Sequence, residues 1–521
     1  MVSNVYSATV IGINAYKITV EIDINNSLPS IVIVGLPDAA VSEAKERVRS
    51  AIKNSGFEFP LKKIVINLAP ADLKKEGTNY DLPIAVGILA QSDPLLQEKI
   101  KDFALVGELS LDGSIKPING VLSIVSGLKN LGINRIIIPE ANKKEAALID
   151  NIDIYPAKTL NEVIEFLKDF NKNKQEVKII PYKININDYL NQENIEQNNY
   201  DFKYVKGQQK AKKALEIAAA GEHNLLMIGA PGSGKTLLAK CFSSILPPLT
   251  LKEAIELTQI YSISGLLKEN IPLIYQRPFR FIHHTASSIG IIGGGSNPKP
   301  GEITLAHRGV LFLDEMVEFP RNVLESLRQP LEDGEISISR AQISVKYPAR
   351  FILLGAMNPC PCGFYGDKEK YCTCSDHQIK KYRSKLSGPL LDRIDIQVEV
   401  PRLSSQELLN NDPLICESSH DIKQRVILAK NIQLQRYKNY NITSNSQLSA
   451  SLVKKFCNIE DKNAKDLLRM AIDKFKLSAR TFERLLKLSR TIADLNNSDL
   501  IKDHHIAQAL QYKNLITQLD N

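Results

Sequence analysis

The chain has 521 residues, 43% hydrophobic and 24% charged, close to the globular average, which excludes a disordered chain, a collagen and a disulfide scaffold. The length fits about three or four domains, no apolar run approaches the ~18 residues of a membrane span, and residues 1–10 do not have the pattern of a secretion signal. Seven cysteines, four of them in one short window, predict a reducing, cytoplasmic setting, and the net charge of +8 divides into −3 over residues 1–170 and +11 beyond, an excess that permits nucleic-acid binding without requiring it.

Residues 1–170 alternate strand-like and helix-like segments. Ile31–Val34, Ile64–Ile66 and Asn134–Ile138 are rich in β-branched residues, and Asp38–Asn54 has apolar residues at helical spacing. An α+β or α/β domain is expected there. Residues 171–199, rich in Asn, Gln, Lys and Glu, read as a linker. A second α/β pattern runs over 200–400. Beyond 401 the strand signals fade, and Leu452–Ile472 and Ser478–Leu495 predict an all-α module.

The second pattern carries chemistry. The apolar run Asn224–Ile228 leads into Gly229-Ala230-Pro231-Gly232-Ser233-Gly234-Lys235-Thr236, and the helical segment Leu237–Phe242 follows. Strand, glycine loop and helix are the context a phosphate loop requires. Glycines let backbone amides face phosphates, and the helix N-terminus adds a favourable dipole. Lys235 is expected to neutralise the β/γ-phosphates of ATP, and Thr236 to offer a hydroxyl to Mg2+. Seventy-nine residues after Lys235, the run Val310–Leu313 ends in Asp314-Glu315. Asp314 is expected to hold Mg2+ through water and Glu315 to polarise the attacking water. Phe351–Met357 predicts a strand ending at Asn358, which either hydrogen-bonds the γ-phosphate or the water, or simply starts the turn at Pro359. Arg393 lies between Asp392 and Asp395. It is either an arginine inserted into a neighbouring subunit's site or a local ion pair. Arg480 is expected to reach back from the helical module to the γ-phosphate, with Arg484 making structural contacts.

This order of phosphate loop, Asp-Glu strand, Asn strand end, arginine and helical lid resembles the AAA+ ATPases. Arg277–Ser287, Gly293–Gly295 and Pro300–His307 narrow the resemblance to the magnesium-chelatase-like branch and its bacterial ComM/YifB family, over nearly the whole chain. The resemblance implies a homo-hexameric ring with ATP between subunits, and branch migration of DNA in natural transformation. Glu335–Val345 alternates about a polar turn, as a β-hairpin does, with a tip near Arg340-Ala341 and Lys346 on the return. In related ring helicases such a hairpin projects into the pore. Arg340 and Lys346 are therefore the expected contacts to single-stranded or branched DNA. His283 and His284 read as structural or pore-loop residues.

Segments Gly107–Gly113, Pro117–Leu122 and Ile137–Asn142 resemble the proteolytic domain of Lon. Lon catalysis needs a Ser nucleophile and a Lys base. Leu122 stands at the lysine position, and Lys75–Asp81 holds no serine. Neither Asn79 nor Asp81 replaces the nucleophile. A non-catalytic domain is expected over 1–170. Cys360, Cys362, Cys372 and Cys374 form two Cys-x-Cys pairs, the right number of thiolates for tetrahedral Zn2+, with His377 close enough to replace one. The expected architecture is a Lon-like α+β domain, a linker, an AAA+ domain over 200–400 and an all-α lid over 401–521. Two functions stay open: a DNA motor, and a protein- or cofactor-remodelling ATPase of the magnesium-chelatase type.

Overall fold

The computed structural model describes residues 2–170, 179–185, 189, 200–268, 271–295, 298–339, 344–367, 369–403, 417–475 and 477–513. The chain divides into two compact units, Met1–Gln192 with Leu251–Tyr275, and Glu193–Thr250 with Gln276–Asn521.

The first unit is built on a seven-stranded mixed sheet. Its strands lie in the order Ser30–Val34, Lys63–Ala69, Asn14–Asn25, Ser3–Ile11, Ala104–Leu105, Arg135–Pro139 and Asp153–Ala157. The three β-branched runs seen in the sequence are all strands of this sheet. The helix Ala39–Asn54 starts where Asp38 accepts a hydrogen bond from the Val41 amide, 2.8 Å. The helix Asp81–Ala90 is buried at every position. Such a helix belongs inside a core rather than on a surface.

One element departs from the expected boundaries. The helix Leu251–Ile263 lies within the 200–400 span of the sequence reading, yet it packs with the N-terminal unit, against helix Val121–Asn130. Ser262 Oγ accepts from the Gly120 amide, 3.0 Å, and donates to the buried carboxylate of Glu145. Glu145 also accepts from the Leu122 amide, 3.0 Å. Burial pushes the Glu145 carboxyl above its usual range, against the pull of its three donors, Ser262, Leu122 and Asn142. Of the expected linker, residues 179–185 and 189 are described; Ile179 is buried, and the Tyr182 amide donates to the Ile154 carbonyl, 2.8 Å. The remainder of 171–199 lies outside the described residues.

The second unit centres on a five-stranded parallel sheet in the order Phe279–Ile282, Val310–Leu313, Ile352–Met357, Leu225–Ile228 and Ile396–Glu399. Leu225–Ile228 and Val310–Leu313 are buried at every position, as strands covered on both faces must be. The helices Ser419–Arg436 and Ala479–Leu495 pack on Gln209–Gly221 and share one core with the sheet. All regular elements described after residue 401 are helical. The predicted helix over Leu452–Ile472 is two helices, Ala450–Phe456 and Lys462–Phe475. Asp461 restarts the backbone between them, its side chain accepting from the Asn463 amide, 3.2 Å.

A buried ionic network fastens these helices to the start of the sheet. Asp395 takes Arg484 at 2.9 Å, His223 at 3.3 Å and the Asn224 amide at 3.3 Å. Burial alone would raise the Asp395 pKa, but Arg484, His223 and Lys513 outweigh it and hold the carboxyl well below the usual range.

Candidate active site

The phosphate loop leaves the C-terminal end of strand Leu225–Ile228 and enters helix Lys235–Phe242. Gly232 and Gly234 hold φ of +78° and +92°, a region that costs a side-chain-bearing residue energy. The strand to which Asn358 is attached lies next to Leu225–Ile228, so the loop and Asn358 share one edge of the sheet. Lys235 Nζ donates to the carbonyls of Gly229, 2.7 Å, and Ala230, 2.9 Å, and reaches Asn358 Oδ1 at 3.4 Å. Burial lowers the Lys235 pKa to about 8, opposed by the charges of Asp314 and Glu315. The partners of this lysine are thus two carbonyls of its own loop and the Asn358 side chain.

Thr236 Oγ1 donates to Asp314 Oδ2, 2.8 Å. The hydroxyl and the carboxylate thus sit side by side, the donor pair that would hold Mg2+. Ser233 Oγ is buried in the same loop without a partner among the described residues. These observations fit a loop shaped for a Mg2+-bound nucleotide phosphate. Glu315 follows in a left-handed conformation, φ +51°, with a half-exposed side chain. That sharp turn separates its carboxylate from that of Asp314. His284 Nδ1 approaches Glu315 Oε2 to 3.3 Å. His284 follows the edge strand Phe279–Ile282, whose neighbour is the Asp-Glu strand, so register alone brings the pair together.

Arg393 lies at the other end of the sheet. Asn224, which precedes the phosphate-loop strand, donates to the Arg393 carbonyl, 3.0 Å. The four residues Leu225–Ile228 then separate that point from the loop, a span of about 13 Å at the rise of a β-strand. The Arg393 guanidinium donates to the Pro389 carbonyl, 2.7 Å, and pairs with Glu332. It pairs with neither Asp392 nor Asp395, the acids beside it in sequence; Asp395 is engaged by Arg484. Arg480 pairs with the same Glu332 carboxylate. Arg480 and Arg393 are thus gathered on one acid, away from this chain's own phosphate loop. Glu332 gave no motif in the sequence, and only the fold reveals it.

The hairpin forms as predicted from Glu335–Ser339 and Ser344–Pro348, with Ser339 opposite Ser344. Ile336, Ile338, Val345 and Tyr347 make its buried face. Lys346 is on the exposed face, 3.7 Å from Glu335. Arg340, at the tip, lies outside the described residues.

At the Lon-like positions, Leu122 is buried in the core. Asp81 is fully buried and held by Arg47 at 2.8 Å, and Asn79 donates to the Ala8 carbonyl, 2.8 Å. These side chains are committed to structural contacts. Cys360, Cys362, Cys372 and Cys374 come together, their four sulfurs within 4.8 Å of one another. His377 is exposed and outside this group.

Comparison with known proteins agrees with this picture along the chain. Residues 201–408 match the family described as magnesium chelatase, subunit ChlI; residues 20–142 match subunit ChlI of Mg-chelatase; and residues 416–513 match the magnesium chelatase, subunit ChlI C-terminal family. The chain is similar to the Competence protein ComM of Haemophilus influenzae, 43% identical over 519 residues, which cover 99% of this chain and 98% of that protein. It is similar to the uncharacterized protein YifB of Escherichia coli, 42% identical over 512 residues, 98% of this chain and 97% of that one. An archaeal Lon protease of Methanocaldococcus jannaschii is 33% identical over 109 residues, 21% of this chain and 16% of the protease. With the phosphate loop, the Asp-Glu strand and the Asn358 strand end in one parallel sheet, and with relatives alike from end to end, the chain belongs to the ComM/YifB family of magnesium-chelatase-like AAA+ ATPases.

Proposed function

We propose that this protein hydrolyses ATP in a homo-hexameric ring and uses the energy to move on DNA, driving branch migration of recombination intermediates. The observation that carries the ring is the separation within one chain: the phosphate loop is at one end of the sheet, and Arg393 and Arg480 are at the other, on Glu332. A subunit so built supplies nucleotide-binding groups to one interface and arginines to the next, the head-to-tail arrangement that closes into rings. The residues then take these roles. Lys235 and the amides of residues 229–236 bind the β/γ-phosphates. Thr236 and Asp314 would hold Mg2+, which supplies charge neutralisation. Glu315 orients the attacking water and accepts its proton. Asn358 reads the γ-phosphate or the water. Arg393 and Arg480 neutralise charge developing in the neighbour's site.

The DNA reading is supported by the basic excess after residue 170, the hairpin beside the ATPase sheet and the name of the Haemophilus relative. Arg340 is the proposed phosphate contact; Lys346, paired with Glu335, contributes less. The proposed layout is a non-catalytic Lon-like domain over 1–170, with which Leu251–Tyr275 packs, an AAA+ domain over the rest of 200–400 and a helical lid over 401–521. A cytoplasmic setting suits the free cysteines, and among the described residues no helix is long and apolar enough to cross a membrane.

The test is steady-state ATPase with no DNA and with single-stranded, duplex and branched DNA, using Glu315→Gln as the blank. Stimulation that is strongest with branched DNA supports the motor. ATPase indifferent to every DNA, with no salt-dependent binding, refutes it and favours the remodelling function that the magnesium chelatase matches suggest.

A further inference from the structure

We propose that Cys360, Cys362, Cys372 and Cys374 bind one Zn2+, and that the resulting knuckle is a brace for the phosphate loop, so that zinc and nucleotide strengthen each other's binding. The proposal rests on the loop's reading as the ATP site only in its second half; the metal stands on the cysteines alone.

The sulfur geometry fits a single tetrahedral ion. At a Zn–S distance of about 2.3 Å, the edges of a ZnS4 tetrahedron are about 3.8 Å. The sulfurs of Cys360 and Cys362 are 3.3 Å apart, those of Cys360 and Cys372 3.7 Å, and those of Cys362 and Cys372 3.5 Å. Disulfides need about 2.05 Å. A multi-iron cluster would push the four sulfurs apart around its own core. Local backbone structure already supports a thiolate knuckle: the Tyr365 amide donates to Cys360 Sγ, 3.3 Å, and the Cys362 amide to Cys374 Sγ, 3.4 Å. Such amide–sulfur bonds orient thiolate ligands and share their charge.

The knuckle is also joined to the nucleotide site. Cys360 comes two residues after Asn358, which contacts Lys235. Gly363, at φ +86°, lies flat on Pro231 of the phosphate loop; a Cβ there would come within 2.6 Å of the proline ring. Arg402 makes a second tie. Its Nη2 donates to the Pro231 carbonyl, 3.3 Å, its Nε pairs with Asp367 of the knuckle, 3.2 Å, and its guanidinium covers the Phe364 ring at 5.3 Å. From the other side Arg383 donates to the Pro359 carbonyl, 3.1 Å, and covers Tyr365 at 5.0 Å. The residues 359–367 are thus held by the loop, by Arg402 and by Arg383. Their conformation is fixed at its base by the four sulfurs. Releasing the metal frees the segment that seats both Pro231 and Asn358.

Full-length protein, purified without metal-affinity resin or added metal, is expected to contain about one Zn2+ per chain by elemental analysis. Cys457→Ser should keep this content, and Cys372→Ser with Cys374→Ser should lose it. Replacement of the metal by Co2+ should give thiolate-to-cobalt charge-transfer absorption and the strong visible bands of a tetrahedral ion. Absence of metal, or iron in its place, overturns the zinc assignment, and these readouts on the unaltered chain hold even if a cysteine variant fails to fold. Coupling is read on the wild type in both directions. Zinc removal should weaken binding of a fluorescent ATP analogue about fivefold or more, and saturating ATP should tighten zinc by the same factor in equilibrium competition with a chelating dye, because coupling free energy is reciprocal. A stoichiometric zinc whose removal leaves nucleotide affinity unchanged overturns the brace. A chain that binds no nucleotide with zinc in place overturns the ATP-site reading instead.

Discussion

The sharing of Glu332 by Arg393 and Arg480 gives a prediction that depends only on which end of the sheet a residue occupies. The strand Leu225–Ile228 puts about 13 Å between the start of the sheet, where Arg393 sits, and the chain's own phosphate loop. Both arginines should therefore serve the neighbour's nucleotide. Arg393→Ala or Arg480→Ala alone should cut hydrolysis, for Arg393 by about 10³-fold or more, the usual worth of a trans arginine. Mixing an Arg393→Ala chain with a Lys235→Ala chain in equal amounts creates sites in which an intact loop faces an intact Arg393. In a randomly mixed head-to-tail ring this happens at about one interface in four, whatever the ring size, so about a quarter of wild-type turnover should return. An equal mixture of Arg393→Ala and Arg480→Ala separates the two placements of Arg480. If both arginines come from the same neighbour, no interface is whole and turnover stays low. If Arg480 served its own loop, about one interface in four would again be whole. The assay is phosphate release after co-refolding or subunit exchange, with exchange verified by differently labelled chains. Recovery to a quarter in the second mixture, or none in the first, refutes the assignment of both arginines to the neighbour.

Glu315→Gln should keep binding of a fluorescent ATP analogue near wild type and reduce turnover by about 10²-fold or more, the scale of a lost general base; normal turnover would remove Glu315 from its role. His284→Ala should lower turnover while leaving nucleotide affinity within about twofold, since His284 touches Glu315 and not the phosphate loop. Arg340→Ala should weaken DNA binding and flatten its salt dependence without changing basal ATPase, as measured by fluorescence anisotropy at several salt concentrations. Asp395→Asn should cost about 3 kcal/mol at pH 7, because it leaves the largely covered Arg484 with its ionic partner gone. The Asp395 carboxyl is depressed in the folded chain, so its contribution is complete above the unfolded pKa near 4 and fades as pH falls below it. The stability gap between wild type and Asp395→Asn, followed by chemical denaturation, should be constant from pH 7 to pH 5 and shrink under stronger acid; a gap that grows in acid would contradict the depressed carboxyl.

The geometry of the phosphate loop was legible because it is written in short, contiguous runs. Strand, loop and helix around Lys235 name their own geometry, and a parallel sheet puts the ends of Val310–Leu313 and Ile352–Met357 beside that loop. The same parallel rule made the place of Arg393 readable in principle: it precedes its strand, and the loop follows one. Arg480 was not readable in this way, because it is on a helix whose docking is set by tertiary packing. Periodicity likewise gives a helix its buried face but not the surface that covers it. For that reason Leu251–Ile263 was expected with its neighbours in sequence and is found with the N-terminal unit. His284 near Glu315 and Glu332 between two arginines are meetings of single residues across the fold, with no spacing in the sequence to announce them.

The position of that helix has a mechanical consequence. Because Leu251–Tyr275 belongs to the N-terminal unit while both its flanks belong to the other, the chain passes between the units three times, after residues 192, 250 and 275. One cut therefore cannot part them. A fragment beginning at residue 193 would carry Ala254, Leu257 and Ile260 stripped of their cover, and the loss for Leu257 and Ile260 alone is about 1.5–3 kcal/mol each. Evolution of this protein by swapping one half for another would face the same obstacle. The two units are joined by three covalent tethers rather than one.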